Sequence, residues 1–308
     1  MKVLVTGGAG FIGSHIVEFL LENNIDTVVV DNLVTGHKYN IPSKVAFYHF
    51  DIRDPNIDKI FMVEKPDFVI HQAAQVSVQE SVKQPFYDCS ENVMATVNIL
   101  QACIKYNVKK IIYASTAAVY GNPQYLPIDE KHDLNPVSFY GLSKLTSEAY
   151  IQLFAKLYGL KYTILRYSNV YGTRQNPDGE AGVISIFMDR LFKNDSPIIY
   201  GDGNQTRDFI FVKDVAHANF LAFRNADNQI CNISSNQQIS VNELLDTICN
   251  LMKIEDKRIY KEERPGDVIH SYLSNDKARK YLNWHPKFSL LQGLEEVISL
   301  FCKNTRIV

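Results

Sequence analysis

Tyr140 and Lys144 stand four residues apart. On a helix that spacing turns both side chains to one face. A free phenol, with a reference pKa of about 10, is a poor base at neutral pH, but an adjacent ammonium favours its phenolate. The pair is a candidate for moving a proton on and off a hydroxyl. Tyr-x-x-x-Lys is also common by chance, and a solvated pair on an amphipathic helix is its ordinary reading. Ser115-Thr116 separates the two, because it ends the apolar run Lys110–Ala114. Open parallel sheets bind ligands at such carboxyl ends. A hydroxyl there can bond the oxygen that Tyr140 deprotonates, although capping a turn is its plainer use.

A second cluster begins the chain. Gly7-Gly8-Ala9-Gly10-Phe11-Ile12-Gly13 follows a short apolar strand and opens a helix. Small residues there let the backbone turn sharply and approach a pyrophosphate, which the helix N-terminus then attracts. Gly13 allows close packing of helix on strand. Glycines alone also serve ordinary turns, but Asp31 ends the next strand about 20 residues on, where an acid accepts adenosine ribose hydroxyls. Asn32 follows, with no Lys or Arg to meet a 2′-phosphate, which selects NAD over NADP. Asp51-Ile52 and Ala73-Ala74-Gln75 end later strands, where a carboxylate holds adenine and small residues leave room for the cofactor. With the positive nicotinamide ring beside it, Tyr140 becomes more acidic, and Lys144 can donate to the nicotinamide ribose.

The elements that must position these residues alternate. Val3–Thr6, Thr27–Asp31, Val45–Asp51, Asp67–His71, Lys110–Ser115 and Tyr162–Arg166 read as strands. Phe11–Glu22, Asn92–Tyr106 and Tyr140–Tyr158 read as helices. The series predicts an α/β fold: a doubly wound parallel sheet (Rossmann) with a smaller mixed α/β substrate-binding region. Residues 1–171 form the cofactor half and 172–308 mainly the substrate half, interleaved with the first. The formal net charge of −2 argues against nucleic acid as partner. Five scattered Cys suggest reduced thiols, and no apolar run approaches a membrane span. The cytoplasm is the expected location. The His spacings favour no metal site.

Together these segments resemble the extended short-chain dehydrogenase/reductase family, and within it the UDP-hexose 4-epimerases. The resemblance runs nearly end to end. It is carried by the glycine loop, His71-Gln72-Ala73-Ala74, Ser115-Thr116-Ala117-Ala118-Val119-Tyr120-Gly121, Tyr140-Gly141-Leu142-Ser143-Lys144 and Leu165-Arg166-Tyr167-Ser168-Asn169-Val170-Tyr171-Gly172. It implies Tyr140 as base, Lys144 as its partner, Thr116 as the hydroxyl and Asn92 as a supporting residue. Ser115 and Tyr167 join the cofactor set. Asn169, Arg207 and Arg264 would hold a substrate diphosphate, Tyr200 would touch the nucleoside and Asp267 its ribose, and Val183 joins the substrate set. A homodimer built on a four-helix bundle is also implied. Leu145, Ala149, Leu153 and Leu157 form a stripe that serves either that bundle or the chain's own sheet.

Relatives diverge after the first oxidation at C4 of the hexose. Where 4,6-dehydratases carry an Asp-Glu pair, this chain has Ala117 and Ala118. The resemblance therefore implies epimerisation of a UDP-hexose through a transient 4-keto sugar, with a reductase, a dehydratase and a UDP-glucuronate 4-epimerase as alternatives. A non-catalytic NAD-binding module is the rival of another class. Seven residues after Arg264 the family often has a bulky Tyr, and here stands Ser271, which leaves space for an N-acetyl group. Relatives that hold a sugar carboxylate have Arg where Asn176 stands, although Arg174 is near enough to substitute.

Overall fold

Runs of β-branched residues build the frame of a computed structural model that describes residues 1–176, 182–263 and 268–305. They form β1 (Lys2–Thr6), β2 (Asp26–Asp31), β3 (Ala46–His49), β4 (Phe68–His71), β5 (Lys110–Thr116) and β6 (Lys161–Tyr167). A seventh strand, Gln229–Ile233, returns from the C-terminal half to pair with β6. The sheet runs Gln229–Ile233, β6, β5, β4, β1, β2, β3, with every pairing parallel. Strands such as β1 and β5 are buried almost throughout, as expected of a sheet covered on both faces.

Two elements differ from expectation by more than a residue at an end. The third strand stops at His49 because Asp51 takes the Arg53 backbone N–H at 2.8 Å, a side-chain turn that leads the chain away. The helix expected from Asn92 begins as a π turn, Ser90–Met94, before regular helix over Ala95–Lys105. In a π turn one carbonyl falls out of the ladder. The Asn92 oxygen in this turn accepts from the hydroxyls of Thr96 at 2.5 Å and Ser147 at 2.9 Å.

The helix carrying Tyr140 runs Phe139–Tyr158, capped by Ser138 and ended by Gly159 at φ 74°. Of the apolar stripe on it, Leu153 and Leu157 are exposed and do not face the sheet, whereas Leu145 packs against Val119, Tyr120, Ile128 and Leu273. The C-terminal half has its own core, centred on Phe187, Met188, Phe211 and Leu244. Its other strands form short pairs: Phe209–Phe211 with Asn169–Tyr171 of the first half, Ile239–Ser240 with Thr206–Arg207, and Ile259–Lys261 with Ile198–Tyr200. Among the described residues no helix is long and apolar enough to cross a membrane.

Candidate active site

The strand order reverses between β1 and β4, and a cleft of about 600 Å³ opens at their carboxyl ends. The two strand ends approach so closely that a Cβ on Gly7, at φ 68°, would lie 2.6 Å from the Ala73 backbone nitrogen. Gly13 meets the same limit, since its Cβ would lie 2.0 Å from the Gly7 carbonyl oxygen. A Cβ on Gly10 would meet only the Gly7 oxygen, at 3.3 Å. The remaining space there is open. The Phe11–Glu22 helix starts at Gly10 with no side-chain cap and no acid in its first turn. Its first amides have no acceptor within the helix, which suits a dinucleotide pyrophosphate.

The cleft gathers most of the predicted cofactor residues: Gly7, Gly10, Phe11, Ile12 and Gly13 from the loop, Asp31 and Asn32 after β2, and Ile52. Ala73, Ala74 and Gln75 line its floor, and Ser115, Thr116, Tyr140 and Tyr167 its far end. Asp31 also shapes the loop itself, accepting the Ala9 N–H at 2.9 Å and the Leu33 N–H at 2.8 Å. Asp51 does not line the cleft. Both its oxygens bond the Arg53 guanidinium, at 3.0 and 2.6 Å, and that contact holds its carboxyl below the usual range.

The catalytic candidates come together through one glycine. A Cβ on Gly141 would sit 2.6 Å from the Ala118 oxygen, so the helix start packs directly on the turn after β5. Tyr140 and Thr116 therefore share the cleft. The Thr116 oxygen accepts the Ala118 N–H at 3.2 Å, which leaves the hydroxyl proton unused by that bond. The capping use and the site use coexist. Ser115 instead turns inward, donating to Glu148 at 2.5 Å. Lys144 is 3% exposed, donates to the Ala114 oxygen at 2.9 Å and lies over the Tyr113 ring at 4.9 Å. Burial lowers its pKa to about 8, against the opposing pull of Asp88 and Glu148.

Asn92 is a junction rather than a lining residue. Its amide oxygen accepts the Gln75 N–H at 2.9 Å, while its NH2 donates to the Gln75 oxygen, Asp88 and Ser143. Ser143 is one residue from Lys144, so Asn92 ties the cleft floor to the catalytic helix. Below it, His71 bonds Thr6 at 2.6 Å and Thr96 at 3.1 Å, both within the core.

Of the predicted substrate residues, Thr116 and Tyr140 line this cleft, whereas Asn169, Val183, Tyr200, Arg207 and Ser271 do not. Asn169 is exposed on its short strand, between the cleft-lining Ser168 and Val170. Val183 starts the helix Val183–Phe192, and Tyr200 ends the strand Ile198–Tyr200. Arg207 donates to the backbone oxygens of Thr206 and Ile269, and Ser271 donates its N–H to the Thr206 oxygen at 3.2 Å. Arg207 and Ser271 are thus neighbours on adjacent segments. Arg264 and Asp267 lie outside the described residues. Arg174 lines the cleft and pairs with Glu18 of the first helix.

Sequence reasoning missed Glu148 and Arg166, a buried ion pair behind the site. The signal was present, since 140, 144 and 148 continue one i+4 row. Among the described residues no cluster of His, Cys, Asp or Glu is arranged to hold a metal.

A glycine-cradled cleft at a sheet switch point, with Tyr and Thr at its far end and Lys buried one helical turn behind the Tyr, defines a dinucleotide-dependent short-chain enzyme. The model of the NAD dependent epimerase/dehydratase family matches residues 3–234. A putative UDP-glucose 4-epimerase of Methanocaldococcus jannaschii is 52% identical, covering 99% of each chain. A UDP-glucose 4-epimerase of Thermotoga maritima, solved with UDP-glucose, superposes with TM-score 0.97 at 42% identity over 99% of this chain and 100% of that one. A UDP-N-acetylglucosamine 4-epimerase of Methanobrevibacter ruminantium, solved with UDP-N-acetylmuramic acid, gives 0.93 at 35% identity over 98% of both chains. The chain belongs to the NAD-dependent epimerase/dehydratase family, an enzyme family whose cofactor is NAD.

Proposed function

We propose that this enzyme is a UDP-hexose 4-epimerase acting on UDP-glucose/UDP-galactose and on their N-acetylated counterparts. One observation carries the reading: Tyr140 and Thr116 share one cleft with the glycine loop because Gly141 lets the helix seat on the turn after β5. Similarity to relatives named as UDP-glucose 4-epimerases supports the substrate class.

In this reading Thr116 donates to the sugar O4, Tyr140 removes its proton, and Lys144 stabilises the phenolate. Bound NAD supplies the group that accepts a hydride from C4 and gives it back. Gly7, Gly10, Phe11, Ile12 and Gly13 hold the pyrophosphate, Asp31 and Asn32 the adenosine ribose, and Ile52 the adenine end, with Asp51 acting there through the turn it shapes. Ala73, Ala74, Gln75, Ser115, Tyr167 and Lys144 complete the cofactor contacts, with Asn92 holding Gln75 in place behind them. The 4-keto sugar turns about its diphosphate link, so that C4 would take the hydride back on its other face while Tyr140 returns the proton to O4. Arg207, Arg264 and Asn169 grip the diphosphate through charge-assisted bonds, Tyr200 the nucleoside and Asp267 its ribose, and Val183 joins the substrate set.

Ala117 and Ala118 leave no acid beside Thr116 to eliminate water, which disfavours a dehydratase. The small Ser271 side chain leaves room at C2 of the sugar. Residues 1–171 serve the cofactor and 172–308 mainly the nucleotide sugar. Exposed Tyr150, Leu153 and Leu157 form the contact of a cytoplasmic homodimer.

Incubation with UDP-galactose and UDP-N-acetylgalactosamine, without added NAD, tests the reading. Conversion of both to the gluco epimers is expected. A released keto sugar, or net loss of added NADH, points to a dehydratase or reductase instead.

A further inference from the structure

The helix face that carries Tyr140 and Lys144 carries Glu148 one turn further on. Glu148 is fully buried and Arg166 is 2% exposed. One oxygen of Glu148 accepts from Ser115 at 2.5 Å and from Arg166 Nε at 3.0 Å, and the other accepts from Arg166 at 2.6 Å. Arg166 also donates to the Tyr120 hydroxyl at 3.0 Å, with its guanidinium 4.9 Å from that ring. The Tyr120 hydroxyl donates in turn to Asn232 at 2.7 Å. The network thus joins the catalytic helix to β5, to β6 and to the strand Gln229–Ile233.

Stability alone is a poor reason to keep such a network. The desolvation of a buried ion pair offsets most of its attraction, and apolar residues of similar volume often replace it without loss. What apolar packing cannot supply is direction. A bidentate guanidinium–carboxylate pair has one geometry, and this one sits one helical turn from Lys144 and directly behind Ser115-Thr116.

We propose that Glu148, clamped by Arg166, is a positioning residue that sets the catalytic helix against the end of β5, so that Tyr140 and Thr116 converge on one oxygen. It also places a negative charge beside the buried Lys144. The groups around Lys144 are Asp88 from the helix Pro85–Cys89, Glu148 from its own helix, Tyr113 from β5 and His71 from β4. Those around Glu148 are Ser115 and Tyr113 from β5, and Arg166 and Tyr162 from β6. Asp88 and Glu148 are the two carboxylates acting on the Lys144 ammonium.

The test compares Glu148→Gln with the double variant Glu148→Met/Arg166→Met in the NAD-loaded enzyme. Turnover of UDP-galactose is one readout and rests on the epimerase reading. The other is the Lys144 titration, followed by NMR of lysine-labelled protein, which does not. Glu148→Gln is expected to lower kcat roughly ten- to a hundredfold with KM within about threefold. The Lys144 midpoint should fall by about half a pH unit or more, because the ammonium loses a carboxylate neighbour. The Met pair leaves no unpaired charge, so its melting temperature should recover while kcat stays low. Wild-type kcat in the Met pair, or an unmoved Lys144 midpoint in Glu148→Gln, overturns the proposal. Failure of both variants to fold overturns it too, by reducing the network to fold maintenance. A wild-type enzyme that epimerises nothing, with the Lys144 midpoint still moving, defeats only the epimerase reading.

Discussion

The two halves of the molecule hold their functional side chains in different ways. In the sheet half, Thr116 ends a seven-residue buried strand and Tyr140 stands in the first turn of a 20-residue helix. In the other half, Arg207 sits on a two-residue strand and bonds backbone oxygens. Long elements fix geometry to a fraction of an ångström, as a proton transfer requires. Short strands on exposed loops hold position less tightly and accept substitution with little cost to the core. On the proposed reading, the chemistry sits on the part that cannot change, and substrate choice on the part that can.

Replacing Tyr140 with Phe should break the chemistry alone. The expected loss in kcat is about 10²–10⁴-fold, with NAD still bound at wild-type occupancy by absorbance of the isolated protein. Undiminished turnover would remove Tyr140 from the reaction.

Arg207→Ala should act in the opposite sense. Loss of a charge-assisted bond to the diphosphate raises KM for the UDP-sugar about 10–100-fold, while kcat changes little. A drop confined to kcat would mean that the two halves are not divided as described.

Ser271→Tyr is a finer probe of the same half. It should cost the N-acetylated substrate about tenfold in kcat/KM relative to UDP-galactose. Equal losses on both sugars would refute the pocket argument.

The smallest effect is in the pH dependence of stability, where the halves should slope oppositely. Burial lowers the His71 pKa from 6.5 to about 3, so protons bind the unfolded chain first. The stability it contributes is full above pH 6.5 and is lost as pH falls towards 3. Burial raises the Asp208 pKa from 3.8 to about 6, despite bonds from Ser235, Leu273 and Ser168. This group binds its proton first in the folded state, so stability rises as pH falls from 6 to about 4. In acid melts, His71→Asn should flatten the loss of stability on acidification and Asp208→Asn should steepen it. Parallel slopes for both variants would contradict the assignment.

Much of the sheet half was readable from residue types. The helix Phe11–Glu22 has the bounds its apolar spacing predicts, and β5 and β6 differ by a residue or two at their ends. Local patterning decides such elements because their burial repeats at fixed periods. The π turn at Asn92 was not legible. Its Asn92 carbonyl is bonded by the hydroxyls of Thr96 and Ser147, and Ser147 is 55 residues away in the chain. Nor was the inward turn of Ser115. Its hydroxyl follows Glu148, whose own direction is set by Arg166 on a neighbouring strand.

The order of strands and helices in the first half, and the glycine, Tyr, Lys and Thr residues that belong at their ends, were determined by the amino-acid sequence alone. They follow from spacing and steric freedom, which act within a few residues. The tertiary structure decided what those residues face. It closed Gly7 on Ala73 and Gly141 on Ala118, buried Lys144 above Tyr113, and brought the strand Gln229–Ile233 back beside β6. Such contacts join distant segments, and the free energy that selects them comes from packing and desolvation of the whole core.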